Sequence, residues 1–229
     1  MTPRRTVVVT IDGPAAAGKS STAKEVARRL GFRHVDSGSL YRAVTAARVR
    51  SGGVGGAWTE SSVLEAAAAV GLAPTEVSFE PTISGTLAGS EIRSPGVTRH
   101  VSLVALMPAV REWVNSKVRD ASADHDIVVD GRDMGTAVFP NAAVKVFLMA
   151  DTWERARRRV LQNTGKEGSR DEVAEEADRL AHRDALDSRQ SAPAPDAVII
   201  DTTHISHEEQ VERIVALARA AARATAVSD

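Results

Sequence analysis

Apolar and polar positions follow two alternating patterns along this chain. Short runs rich in β-branched residues predict strands, at 6–11, 32–36, 126–130, 144–149 and 197–201. Apolar residues spaced three or four apart predict helices, at 19–30, 40–50, 152–162, 171–187 and 207–224. Continuous apolar runs are typical of parallel strands that are buried on both faces. The alternation therefore predicts an α/β fold, a parallel sheet with helices on both faces, which binds ligands at the carboxyl ends of its strands.

The alternation is interrupted between about 52 and 101. Pro and Gly separate short apolar segments in this region, at 77–80, 82–84 and 86–88. This pattern predicts a small antiparallel meander, inserted in the core as a satellite lobe. A second irregular segment, at 165–169, lies between two highly charged helices. Loops of this kind close over substrates in many enzymes, so we predict a lid at about 163–172.

The length and composition of the chain narrow its class. With 229 residues it can bury one sizeable core, so we predict a single domain over 1–229 whose core comprises about 1–51, 102–162 and 188–229. A net charge of −1 gives no global attraction to nucleic acid or anionic membranes. The chain has no cysteine, and no apolar stretch approaches the roughly 18 residues of a membrane span. We expect a soluble cytoplasmic protein without disulfides.

The most specific signal is the segment Gly13-Pro14-Ala15-Ala16-Ala17-Gly18-Lys19-Ser20, which Ser21 follows. It lies between a predicted strand and a predicted helix, which is the setting of a phosphate-binding P-loop. Gly13 and Gly18 let the backbone turn around an oligophosphate, so that N–H groups and the helix N-terminus face the negative charge. We expect Lys19 to reach the β- and γ-phosphates and the Ser20 hydroxyl to ligate Mg²⁺. Residues 13–21 are therefore predicted to bind a nucleoside triphosphate.

A polar cluster follows the second predicted strand, at Asp36-Ser37-Gly38-Ser39 with Tyr41 and Arg42. Backbone N–H groups, a hydroxyl and a guanidinium at one helix start are suited to bind a second phosphate. An Asp-Ser-Gly turn is also a common helix cap, so both interpretations stay open here.

Another cluster follows the strand at 126–130, in the segment Asp130-Gly131-Arg132-Asp133-Met134-Gly135-Thr136. A carboxylate at a strand end is where P-loop enzymes hold magnesium through water, and the two glycines allow close approach to a ligand. We therefore expect Asp130, and with it Asp36, to contact Mg²⁺ through water. Arg132 beside two acids is alternatively a structural ion pair. The six histidines show no spacing typical of a protein-held catalytic metal.

Two further sets of charged residues lie on the predicted helices around the lid. Arg155, Arg158 and Arg159 share one helix face by their spacing, whereas Arg157 does not. Cations on one face repel unless an anion lies between them, which favours arginines that close on a phosphoryl group; a solvated face neutralised by Asp151 and Glu154 is the alternative. Arg183 and Asp187, one helical turn apart and followed by Arg189, either pair with each other or reach a ribose and a phosphate.

These motifs together resemble the bacterial cytidylate kinase family, an adenylate-kinase-like branch of the P-loop fold. The resemblance spans nearly the whole chain and rests on Ile11-Asp12-Gly13-Pro14 with Gly18-Lys19-Ser20, Asp36-Ser37-Gly38 with Tyr41-Arg42, Ser102 with Pro108 and Val110-Arg111, Asp130-Gly131-Arg132-Asp133-Met134-Gly135-Thr136, Glu154-Arg155-Ala156 with Arg158-Arg159, and Arg183-Asp184 with Asp187-Ser188. A P-loop alone is generic, whereas the Gly-Arg-Asp-Met-Gly-Thr and Asp-Ser-Gly-x-x-Tyr-Arg segments are specific. The resemblance implies that the insertion at 52–101 is a lobe that binds a nucleoside monophosphate.

The resemblance also implies roles for individual residues. The cytosine of the acceptor is held by Ser37, Ser102, Arg111 and Asp133, its phosphate by Tyr41, Arg42 and Arg132, and its sugar by Arg183 and Asp187. A carboxylate with an arginine complements the amino group and the acceptors of cytosine, and uracil would satisfy this pair poorly. The family's Asp-Ser-x-Arg pattern is one residue shorter here, at Asp187-Ser188-Arg189, which leaves the role of the substrate-binding candidate Arg189 open.

The implied reaction transfers the γ-phosphoryl group of MgATP to CMP or dCMP, giving ADP and CDP or dCDP. The acceptor phosphate is already an anionic nucleophile, so the expected catalytic groups are cations that screen two polyanions, namely Lys19, Arg132, Arg155, Arg158 and Arg159. A kinase for another small acceptor is one rival. A nucleotide-operated switch or RNA-associated NTPase is the other, although the chain has neither an Asn-Lys-x-Asp motif nor an aromatic platform. We expect a monomer that binds small molecules, not nucleic acid or membranes.

Overall fold

Strands and helices alternate in the computed structural model, which describes residues 6–52, 58–187 and 191–227. The strands are β1 (Val8–Asp12), β2 (Arg33–Asp36), β3 (Val70–Pro74), β4 (Ser78–Ile83), β5 (Thr86–Leu87), β6 (Ile127–Asp130), β7 (Val144–Met149) and β8 (Val198–Asp201). The helices are α1 (Lys19–Leu30), α2 (Ser37–Arg50), α3 (Glu60–Ala67), α4 (Pro95–Ala105), α5 (Pro108–Ala121), α6 (Thr152–Thr164), α7 (Arg170–Asp187) and α8 (His207–Val227). The fold is α/β with a mostly parallel sheet, as the sequence predicts.

The predicted bounds agree closely with these elements. α1 and β7 begin and end where the sequence pattern places them. α2 begins earlier than predicted because Asp36 caps it, accepting a hydrogen bond from the Ser39 N–H at 3.0 Å. The sequence analysis predicts no helix where α5 lies. The sequence does carry a signal for this helix, because Val110, Val114 and Val118 are spaced four residues apart. All three are buried in the structure.

The first of two compact units contains residues 31–127. Here β4 pairs with β2 in parallel and with β3 and β5 antiparallel. The antiparallel meander is therefore present, but it is continuous with β2 through β4. The prediction of separate segments at 77–80 and 82–84 is wrong, because β4 runs through Pro81. Proline lacks only a donor, and the Pro81 carbonyl accepts from the Ala88 N–H at 2.9 Å.

The second unit contains residues 7–30 and the chain from 128 onward. Its strand order is β6-β1-β7-β8, with β1, β7 and β8 parallel. All five residues of β1 are buried, as its continuous apolar run predicts. α1 and α8 pack together, and the buried Gln210 side chain of α8 donates to the Thr22 hydroxyl of α1 at 2.5 Å. This packing fixes the helix whose first residue is Lys19.

α6 and α7 form a hairpin in the same unit. α6 ends at Gly165, whose φ of +72° is a left-handed conformation that favours glycine. The hairpin buries Ala156, Val160, Val173 and Leu180 against Ala15 of the P-loop. The P-loop is thus packed directly against this hairpin. Among the described helices, none combines the length and apolar character that a membrane span requires.

Candidate active site

The P-loop connects β1 to α1 with three residues in left-handed conformations. Gly13 has φ +146°, Gly18 has φ +86° and Ala16 has φ +59°. A Cβ on Gly13 would lie 2.1 Å from the Leu148 carbonyl oxygen, so no other residue fits this position without a shift of β7. Both glycines are therefore required by the path of the backbone, as their spacing in the sequence predicts.

Lys19 is the first residue of α1, and its side chain folds back over the loop. Its Nζ donates to the Pro14 carbonyl at 2.7 Å. Burial, together with repulsion from Arg132 and Arg183, lowers the pKa of Lys19 from 10.5 to about 7, against attraction from Asp130 and Asp12. A cation held among other cations and away from water is stabilised by any anion that joins it. The site is therefore suited to bind phosphate.

Ser20 and Asp130 form a pair of oxygen ligands that fits magnesium next to the P-loop. The Ser20 hydroxyl donates to Asp130 Oδ2 at 2.6 Å, and Asp130 is buried at the end of β6. No cluster of three or more metal-ligating side chains occurs among the described residues. Mg²⁺ prefers oxygen ligands and is commonly held by one or two protein groups together with substrate phosphates and water. These two residues fit that mode of binding.

Arg132 contacts both the P-loop and α7. Its Nη1 donates to the Gly13 carbonyl at 2.7 Å, and its Nε donates to Asp187 Oδ2 at 3.0 Å. Arg183 Nε lies 3.8 Å from the same Asp187 oxygen. Burial lowers the pKa of Arg132, and repulsion from Arg183 adds to this effect, while Asp187 opposes it. The structure thus brings Lys19, Arg132, Arg183 and Asp187 together; Arg189 lies outside the described residues.

Asp12 is the main site residue to which the sequence assigned no role, although it is part of the Ile11-Asp12-Gly13-Pro14 motif. It is 5% exposed at the end of β1, and its two carboxylate oxygens accept from the Met134 and Gly135 N–H groups at 2.9 and 2.8 Å. Burial raises the pKa of Asp12 from 3.8 to about 6, although both hydrogen bonds and Lys19 oppose the shift. An acid that ends a run of β-branched residues directly before a P-loop glycine is the signal that marks it.

Arg155 on α6 is buried, at 4% exposure, and its donors are used within the protein. It donates to the carbonyls of Ala15 and Ala150, both at 3.1 Å, and to the Thr152 hydroxyl at 2.8 Å. Its Nη1 also lies 2.7 Å from Asp184 Oδ2 on α7. Arg155 therefore connects the α6–α7 hairpin to the P-loop. The sequence pattern predicts an arginine beside the phosphoryl group and does not reveal these contacts.

The other arginines of α6 have separate partners. Arg158 donates to Glu154 at 2.8 Å and to the Thr202 carbonyl at 2.6 Å, and Arg159 donates to Gln162 at 3.2 Å. A guanidinium has five N–H donors, so these hydrogen bonds do not exclude contact with the transferred group. That contact stays a prediction. Glu154 pairs with Arg158, as the alternative interpretation expects, and Asp151 caps α6 by accepting from the Trp153 N–H at 2.8 Å, so both interpretations of this face stay open.

The predicted acceptor residues at the start of α2 belong to the first unit. Ser37 and Tyr41 are buried, and Asp36 caps the helix. Arg42 Nη1 lies 3.4 Å from both the Ile92 carbonyl and the Thr98 hydroxyl, so it faces the start of α4. These contacts support the helix-cap interpretation of Asp36 without excluding phosphate at the same helix start.

The remaining predicted residues for cytosine lie on other elements. Ser102 is half-buried on α4, and Arg111 on α5 donates to the Ala105 carbonyl at 3.2 Å, at the turn that joins these helices. Asp133 is buried in the second unit, where its carbonyl accepts from the Ala137 N–H at 2.8 Å. Ser21 on α1 is exposed and donates to the Gly18 carbonyl at 2.9 Å.

Comparison with known proteins indicates the family to which this chain is similar. The sequence model of the family described as Cytidylate kinase matches residues 9–220. The cytidylate kinase of Geobacillus kaustophilus is 43% identical over 93% of this chain and 96% of that protein, and the one from Listeria monocytogenes EGD-e is 40% identical over 93% and 96%. A solved structure of shikimate kinase from Bacteroides thetaiotaomicron aligns at 14% identity with a TM-score of 0.46, over 92% of this chain and 94% of that one, a likeness on which nothing here rests.

Proposed function

The chain belongs to the cytidylate kinase family, and we propose that it transfers the γ-phosphoryl group of MgATP to CMP or dCMP, giving ADP and CDP or dCDP. The observation that carries this proposal is the cluster of three cations beside the P-loop, Lys19, Arg132 and Arg183. Desolvation and repulsion within the cluster lower the pKa of Lys19 and of Arg132, and a bound anion would offset both effects. Transfer between two phosphates needs positioning and charge screening more than proton abstraction. The cluster supplies that screening.

The donor binds along the P-loop in this proposal. The N–H groups of residues 13–21 and the N-terminus of α1 hold the triphosphate, while Lys19 contacts its β- and γ-phosphates. Ser20 and, through water, Asp130 and Asp36 hold magnesium. When bound, the ion neutralises charge on the β- and γ-phosphates. Lys19 stays protonated once phosphate oxygens lie beside its Nζ, because their negative charge opposes the effect of burial.

The residues that contact the acceptor are the next part of this proposal. Tyr41, Arg42 and Arg132 contact its phosphate, and Arg183 and Asp187 contact its sugar. Cytosine recognition falls to Ser37, Ser102, Arg111 and Asp133, because an arginine and a carboxylate complement its acceptors and its amino group. Arg189 is also retained as a substrate-binding candidate.

Closure over both substrates completes the proposal. The segment at about 163–172 acts as the lid, and the region at about 52–101 acts as the lobe that binds the monophosphate. Arg155, Arg158 and Arg159 belong to the helix that leads into the lid, and their contact with the transferred phosphoryl group in the closed protein is part of the proposal. We further propose that the enzyme acts as a monomer in the cytoplasm.

An acceptor panel tests this function. ADP release is coupled to a spectrophotometric assay with ATP, Mg²⁺ and each of CMP, dCMP, UMP, AMP, GMP and shikimate. We expect efficient use of CMP and dCMP and poor use of AMP, GMP and shikimate. Preference for another acceptor would assign the cluster to a different kinase reaction. ATP hydrolysis that RNA stimulates, without use of any acceptor, would support the NTPase class instead.

A further inference from the structure

Asp12 occupies a position that stability alone does not favour. Its carboxylate is buried, and burial raises its pKa against two hydrogen bonds that stabilise the charge. A buried carboxylate loses its hydration, which is costly unless the groups around it compensate. Asn has nearly the same shape and would avoid that cost, but it offers one acceptor oxygen where a carboxylate offers two. The carboxylate at this position therefore points to two donors that it has to hold.

The hydrogen bonds of Asp12 hold the segment at 131–138, which we call the Arg132 turn. Its backbone N–H groups at Met134 and Gly135 donate to Oδ1 and Oδ2, one to each oxygen. Arg132, from the same turn, donates in the opposite direction to the Gly13 carbonyl at 2.7 Å. Two adjacent residues, Asp12 and Gly13, thus bind the turn from both sides. The start of the P-loop and the Arg132 turn are tied together by reciprocal contacts.

The close approach of the turn to β1 depends on Gly135. A Cβ at this residue would lie 2.9 Å from Thr10 Oγ1 and 3.3 Å from Asp12 Oδ2. Residue 135 therefore has to lack a side chain for the two hydrogen bonds to Asp12 to form. Thr10 is fully buried, and its hydroxyl has no hydrogen-bond partner within the described part of the chain. The carboxylate, not the neighbouring hydroxyl, is the group that holds the turn.

We propose that Asp12 is a positioning residue, which fixes the Arg132 turn against the P-loop and so sets the place of the Arg132 guanidinium relative to the donor phosphates. This inference rests on the proposed function, in which Arg132 contacts the acceptor phosphate. A misplacement of about 1 Å in such a site is enough to cost 100-fold in rate. Holding both N–H groups requires the two acceptor oxygens of a carboxylate and not merely a polar side chain.

The variant Asp12→Asn tests the proposal because it keeps the shape and removes the charge. One of the two backbone N–H groups then faces an NH₂ group instead of an acceptor. We expect kcat to fall by about 100-fold and the KM for the acceptor to rise, while the KM for ATP and the melting temperature change little. The matched control Thr10→Val alters the neighbouring buried side chain without touching these hydrogen bonds, and it should keep the kcat of the unaltered protein. An unchanged kcat in Asp12→Asn would overturn the proposal, and so would an equal rise in the KM for the acceptor and the KM for ATP.

A second pair of variants displaces the turn without changing any charge. Gly135→Ala places a methyl group against Thr10 and Asp12, so kcat should fall as in Asp12→Asn. Adding Thr10→Ala makes room at the closer contact, and the double variant should recover part of the lost kcat. These variants decide the question even if Asp12→Asn does not fold. A folded Gly135→Ala protein with full kcat would contradict the positioning role.

Hydrogen exchange separates this inference from the proposed function. In Asp12→Asn the amides of Met134 and Gly135 should exchange faster, while the amides of α1 keep their protection. This result does not depend on which acceptor the protein uses, and kcat is measured with whichever monophosphate the unaltered protein turns over. Unchanged exchange at the turn would reject the role of Asp12. An unaltered protein that ignores CMP would instead reject the proposed function alone.

Discussion

Two groups of cations look alike in the sequence and differ in what surrounds them. Lys19 and Arg132, beside the P-loop, are half-buried, and the pKa of each is lowered because desolvation and repulsion from neighbouring cations outweigh the hydrogen bonds and the attraction of nearby acids. On α6, Arg155 is paired with Asp184, and Arg157 is paired with Glu154 and Glu167, which raise the pKa of Arg157. The first group is held at a cost to stability that an anion relieves, whereas the second group stabilises the fold without any ligand. The number and spacing of arginines therefore do not identify a phosphate site. A cation whose desolvation is not offset by its partners in the protein does identify one.

Lys19→Met gives the sharpest test of this contrast. The variant removes the cation that faces the phosphates, so kcat with ATP and the accepted monophosphate should fall by about 1000-fold. Its circular dichroism spectrum should match that of the unaltered protein, since the removed charge does not stabilise the fold. Arg157→Gln serves as the matched control and should keep its kcat. Near-normal phosphorylation by Lys19→Met would show that the P-loop cation has no catalytic role.

The same residue predicts a dependence of stability on pH. The pKa of Lys19 falls from 10.5 to about 7 on folding, so between these values the folded protein binds fewer protons than the unfolded chain. The free energy of unfolding should therefore rise as the pH increases through this window, by at most about 1.4 kcal/mol per pH unit. Below pH 7 both states carry the proton, and the destabilising effect is fully present. Urea unfolding at a series of pH values measures the slope, which should be smaller in Lys19→Met. Equal slopes in the two proteins would contradict a lowered pKa of Lys19 in the folded protein.

Arg155→Met should lower the stability of the fold, which Lys19→Met should not. Removing this guanidinium leaves Asp184 and the Ala15 carbonyl without their partner, which should lower the free energy of unfolding by about 2 kcal/mol, a value below that of a fully buried pair because Asp184 is partly exposed. A double-mutant cycle with Asp184→Asn measures how much of the loss belongs to the pair. A large fall in kcat without loss of stability would instead support direct contact of Arg155 with the phosphoryl group.

The fold and part of the site follow from local patterns. The bounds of α1 and β7 follow from periodicity, because an amphipathic helix and a buried strand repeat their own signal along the chain. Gly13 and Gly18 follow from spacing, since backbone conformation at these positions depends on local sequence. Features of this kind are encoded within a few residues and can be predicted without knowing what lies opposite.

The parts that sequence reasoning missed depend on distant partners. Asp12 binds the N–H groups of Met134 and Gly135, more than a hundred residues away, and backbone groups leave no trace in a sequence. The helical spacing around Arg155 defines a face of α6 but not the P-loop carbonyl that the face meets. Only the tertiary structure shows the partners of a side chain, and these partners distinguish a side chain that stabilises the fold from one that acts on the substrate.

Of the variants proposed above, Arg157→Gln should have the smallest effect on kcat and on the free energy of unfolding. Arg157 donates to Glu154 and to Glu167, both at 2.9 Å, but its side chain is 42% exposed, so water and salt screen both pairs. We expect a loss of about 0.5 kcal/mol in the free energy of unfolding, which should disappear in high salt because the remaining contribution is electrostatic. Urea unfolding at low and high ionic strength measures this difference. A loss as large as that of Arg155→Met, independent of salt, would show that the α6 arginines act as one coupled network, in which the exposure of a single arginine does not set its contribution to stability.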